Sequence, residues 1–94
     1  MSYIIRIELP STLMSDFDIL HRAMAARGFV QTISGSDGND YYLPRATYHT
    51  SSASDRSQIL ESCKQAVSQT GKTAEILVAN YTGCSWSGLR LVRK

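Results

Sequence analysis

Tyr3, Ile5, Ile7 and Leu9 alternate with Ile4, Arg6 and Glu8, and a period of two predicts a strand with one face buried and the other partly wet. Pro10 ends it. Ser11, Thr12 or Ser15 then offers a helix cap, with Asp16 and Asp18 in the early turn where the helix dipole favours negative charge. Leu13, Phe17, Leu20 and Met24 follow at spacings that stack them on one face of a helix closing at Gly28. Phe29 to Ser34 alternates again as a second strand, and Gly35, Ser36, Asp37, Gly38 and Asn39 form a turn of residues that tolerate unusual backbone angles.

Pro44 complicates the third strand, because a residue without an amide hydrogen cannot serve an inner strand that needs donors on both sides. The paired part is therefore expected at Ala46 to Thr50, with Tyr41 to Leu43 extending the hairpin and Pro44 as a bend or bulge that brings Arg45 to the sheet margin. Asp55 with Gln58, or Ser54, caps a second helix whose stripe is Ile59, Cys63, Ala66 and Val67 and whose end is Gly71. Ala74 to Val78 reads as a fourth strand. Tyr81 to Gly88 is turn-like, and Leu89 to Lys94 is an extended basic end.

The order β-α-β-β-α-β predicts an α+β, ferredoxin-like sandwich over a single domain, residues 1–94, with an antiparallel sheet, both helices on one face and room for an extra C-terminal strand. If the apolar parity faces the helices, the open face carries Arg6 and Glu8 beside Thr47 and His49. The 94 residues, 43% of them hydrophobic, suffice for one core. A formal charge of +2 permits nucleic-acid contact without demanding it. No run is apolar and long enough for a membrane span, so a cytoplasmic protein without membrane attachment is expected. Cys63 and Cys84 stand far apart, with no CxxC and no clustered histidine. Neither a metal, another cofactor nor a disulfide is expected from them.

From Tyr3 to Phe29 the chain resembles the GhoS-type antitoxin endoribonucleases of type V toxin-antitoxin systems. The shared features are a Tyr and two aliphatics, a Pro-Ser pair after the first strand, and Phe, Leu, Met and Phe in register down the first helix. The likeness resumes at Thr47 to Ile59, and Gly35 to Arg45 is similar to the DG, Tyr, LP pattern of small phage and bacterial relatives. The resemblance implies a ferredoxin-like fold, related to a small CRISPR-associated protein, and cleavage of single-stranded RNA that encodes a membrane-damaging toxin. A helix-one arginine implicated in that activity is replaced here by His21, with Arg22 beside it. The exchange matters because histidine can move a proton near neutral pH, whereas arginine only balances charge.

Metal-independent RNA cleavage needs a base for the 2′-OH proton, an acid for the leaving oxygen and cationic donors at phosphorus. His49, Arg6 and Arg45 are residues of the right types, and His21 is a further catalytic candidate by its place in the resemblance. The plainer readings are a surface histidine at His49 and a half-buried packing histidine at His21. Tyr41, Tyr42 and Arg45, with Thr47 and Arg22, make an aromatic and basic set suited to stacking bases and holding phosphates. Tyr48 has core parity. Arg90 and Arg93 on the tail could track phosphate, although an apolar tail more often adds a strand to a sheet edge, its own or a partner's. A homodimer through a sheet edge or that C-terminal strand is expected. The competing function is a non-enzymatic phage or mobile-element module that captures a protein on the open sheet face or the tail.

Overall fold

A computed structural model describes residues 1–10 and 13–93. Seven elements follow in order: β1 (Ser2–Glu8), α1 (Met14–Ala25), β2 (Thr32–Ser34), β3 (Asp40–Tyr42), β4 (Thr47–Ser51), α2 (Arg56–Ser68) and β5 (Glu75–Tyr81). β1 lies between β4 and β5, antiparallel to both, and β2 pairs with β3 in a second, two-stranded sheet. The result is a ferredoxin-like α+β fold.

The period-two pattern of β1 is realised in full. Tyr3, Ile5, Ile7 and Leu9 are buried beneath the helices, in one cluster with Phe17, Leu20 and Met24 of α1, Ile59, Cys63, Ala66 and Val67 of α2, and Tyr48 of β4. Both helices therefore cover the same sheet face. Tyr3 is fully buried, and its hydroxyl donates to the Ser54 carbonyl at 2.6 Å, which satisfies the one polar atom that its burial would strand. α2 starts with a complete capping box: the Asp55 carboxylate accepts from the Gln58 amide, and the Gln58 side chain accepts from the Asp55 amide, both at 2.9 Å.

Five details differ from expectation. Leu13 does not join the buried stripe: it precedes α1 in an extended conformation and is 58% exposed, because its side chain lies outside the helical rotation that aligns Phe17, Leu20 and Met24. Ser15 lies inside the helix rather than at its cap, and the Ser11 and Thr12 caps fall outside the described residues. The third strand begins at Thr47 rather than Ala46. Ala46 sits at φ 58°, in a turn closed by the Thr47 amide donating to the Pro44 carbonyl at 3.0 Å, so Pro44 marks a turn just ahead of the strand.

The second strand is also divided. Val30 forms one antiparallel bridge with His49, the chain bends at Gln31, and only Thr32–Ser34 continues, now paired with β3. The Leu43 amide donates to the Gln31 carbonyl at 2.8 Å and holds the bend. The C-terminal segment adds itself to the other side of this hairpin. The Tyr42 amide donates to the Arg90 carbonyl (2.8 Å) and the Val92 amide to the Asp40 carbonyl (2.9 Å), with Tyr41 bridged to Leu91. The tail therefore meets an edge of its own chain. The fourth strand runs three residues beyond the expected Val78, to Tyr81.

Candidate nucleic-acid interface

Alternation along β4 sends Tyr48 into the helix-covered core and His49 to the opposite, open face. Arg6 is paired with Thr47 on one side and Leu77 on the other, and Ile4 with His49 and Ala79. Arg6 and His49 are thus diagonal neighbours on the open face, in keeping with the sequence parity. The Arg6 guanidinium stands 3.7 Å from the Glu8 carboxylate, with both side chains more than half exposed. Such a pair is weak and leaves the guanidinium free to turn towards another anion. His49 is partly buried, and desolvation holds its pKa below the ordinary 6.5. It is therefore neutral at pH 7, the form that accepts a proton.

Tyr81, expected in a turn, is instead a neighbour of this site. As the last residue of β5 it shares the open face, and its ring meets the His49 ring edge-on at 5.9 Å between centroids. Burial raises its phenol pKa, so Tyr81 keeps its proton. The signal lay in the sequence, since Leu77, Ala79 and Tyr81 continue a single parity. Thr47 also belongs to this face by register, but its hydroxyl is closed off from solvent and has no hydrogen-bond partner.

His21 lies elsewhere. Its Nδ1 and the Tyr48 hydroxyl share a hydrogen bond of 2.5 Å, and the Gln31 amide nitrogen is 3.5 Å from its Nε2. Burial pushes the Tyr48 phenol pKa well up, so the phenol keeps its proton. Desolvation lowers the His21 pKa, with nearby Asp18 opposing and Arg45 reinforcing the shift. The sheet thus separates His21 from His49 and Arg6, and the three do not form one constellation. Arg45 stays near this helix side, its guanidinium carbon 4.8 Å from the Phe17 ring centroid, although it also borders a small groove with Arg6. Arg22 is exposed on α1, where its Nε approaches the Asp18 carbonyl at 3.4 Å.

The hairpin gathers three of the remaining candidates. Tyr42 and Arg90 face each other across the β3 and C-terminal pairing, with the guanidinium carbon 5.1 Å from the ring centroid, and Leu91 and Arg93 complete a shallow groove. Tyr42 remains 39% exposed. Tyr41 points away from this set. Its hydroxyl donates to the Asp37 carboxylate at 2.6 Å and its ring packs on Trp86, which makes it a buttress of the Gly35–Asn39 turn. That donation, with the Asn39 amide, holds the Asp37 pKa below its usual value.

Among the described residues no helix is long and apolar enough to cross a membrane, and no three His, Cys, Asp or Glu side chains gather as a metal site. Cys63 is buried, which pushes its thiol pKa up to about 11, and Cys84 is exposed. Compared with protein families and with curated proteins, the chain matches none.

Proposed function

We propose that this protein binds single-stranded RNA and cleaves it without a metal, in the manner that its resemblance to the GhoS-type antitoxin endoribonucleases implies. The observation that carries the binding reading is the grouping of exposed Tyr42 with Arg90 and Arg93 in one groove. An unstacked base has an aromatic ring to lie on there, and its phosphates have two cations. The hairpin joins the main sheet through the Val30–His49 bridge, at the row that carries the histidine.

On the open face the chemistry divides among three side chains. Neutral His49 takes the proton from a 2′-OH, and the freed oxygen attacks the adjacent phosphorus. Arg6 balances the charge that develops on the phosphoryl oxygens. The 5′-oxygen leaves with a proton from the Tyr81 phenol, and a 2′,3′-cyclic phosphate remains. His21, held by Tyr48 under the helices, positions α1 against β4 and takes no part.

The test is binding and cleavage of mixed-sequence single-stranded RNA, with and without EDTA, beside His49→Ala, Arg6→Ala and Arg90→Ala proteins. If Arg6, Arg90 and Arg93 each neutralise one phosphate, affinity should fall about 20-fold between 50 and 200 mM salt, and Arg90→Ala should flatten that slope by about a third. Cleavage should persist in EDTA and disappear in folded His49→Ala. Binding that ignores salt and Arg90 would remove the RNA reading. Binding without cleavage by the wild type would remove the enzyme and keep the reader.

A further inference from the structure

The two edges of the main sheet are treated differently. Beyond β4, the Val30–His49 bridge and the β2–β3 hairpin provide cover, whereas β1 is the one strand that pairs with β5 among the described elements. The Ile7 amide donates to the Ala46 carbonyl, on the β4 side. In an antiparallel ladder this assigns the odd residues of β1 to β4 and the even ones to β5. The register then directs Glu75, Leu77, Ala79 and Tyr81 at β1, and it leaves the amides and carbonyls of Ile76, Val78 and Asn80 pointing outwards. No backbone partner meets them among the described residues. The strand Glu75–Tyr81 contains no proline and no lysine to guard this edge, and Leu77 is 65% exposed beside it.

We infer that the bare edge of β5 is a self-association surface, and that a second copy of this chain adds its own β5 there in antiparallel register about Val78. The strand is self-complementary about that residue. The outward groups of Ile76 meet those of Asn80 in the second copy, and Val78 meets Val78, for about six hydrogen bonds. On the open face, Leu77 of each copy covers the exposed Ala79 of the other. Each Glu75 falls opposite Tyr81, so the two carboxylates lie at opposite ends and do not repel. Moving the centre to Ile76 or Asn80 would leave outward groups unpaired at one end of each strand. The twofold axis stands perpendicular to the sheet, so the three strands of each copy continue into one sheet with both His49 faces on the same side. This inference goes beyond RNA binding and does not depend on it.

Sedimentation velocity of the full chain from about 1 to 500 μM tests the pairing, a range that brackets an interface of this modest size. The wild type should pass from monomer to dimer within that range. Asn80→Pro removes an outward amide that the isolated chain does not use. It should weaken dimerisation at least tenfold while the circular dichroism spectrum stays native. Leu77→Lys and Ala79→Glu, both at exposed side chains, should each do the same. An equimolar mixture of these two variants should dimerise again, because the introduced ammonium of one copy then faces the introduced carboxylate of the other. A wild type that stays monomeric throughout, or a dimer indifferent to both Asn80→Pro and Leu77→Lys, overturns the inference. Failure of the mixture to recover overturns the Val78 register.

Discussion

Thr47 carries a cost that is visible in its own surroundings. Its hydroxyl is buried on β4 and finds no partner, so folding strips it of water without replacing the lost hydrogen bond. Thr47→Val keeps the shape and the β-branch and deletes that hydroxyl. It should raise unfolding free energy by about 1 kcal/mol, read as a higher urea midpoint at unchanged slope. Because the hydroxyl is closed off from solvent, RNA affinity should not change. Sequence parity alone places Arg6, Thr47 and His49 on one face, since side chains alternate strictly along a strand. It does not show that Thr47 is covered while His49 is half open, because covering depends on neighbours from other segments. Tyr81 escapes a reading that ends the strand three residues early, at Val78, before a loop rich in glycine and serine.

The elements themselves are legible wherever a local rule is strong. The pairing of Asp55 with Gln58 is written in four consecutive residues, and the structure contains both reciprocal bonds. Asp55→Ala removes the side-chain acceptor for the Gln58 amide and should lower stability by about 1 kcal/mol, with Asp55→Asn restoring most of it in the same chemical denaturation assay. The stripes of α1 and α2 are readable for the same reason, except at Leu13, which lies before the first helical residue. The second strand is readable only in part. Its alternation continues through Phe29 to Ser34, but a bend at Gln31 hands the chain from one sheet to another. That bend is held by the Leu43 amide, twelve residues further on.

Across the whole molecule, two histidines couple stability to pH. Burial holds both His21 and His49 below 6.5, with Asp18 opposing and Arg45 reinforcing the effect at His21. The unfolded chain therefore binds more protons than the folded one as pH falls below 6.5, and stability drops through that window. The urea midpoint should be steady above pH 7 and decline below 6.5. Folded His21→Gln should show a shallower decline, whereas an equally steep one would place the coupling elsewhere. At this scale the sequence by itself determined the two helices and the strands that flank them, the helix-covered parity of β1 and the core stripes from Phe17 and Ile59 onwards, because each follows from local periodicity and the need to bury one face. Tertiary structure alone decided that His21 and His49 lie on opposite sides of the sheet and that the tail joins its own hairpin. It also decided that Tyr42 meets Arg90 and that β5 keeps a bare edge. Each of these depends on which distant segment pairs with which, and hydrogen-bonded backbone pairing carries no side-chain signature in the sequence.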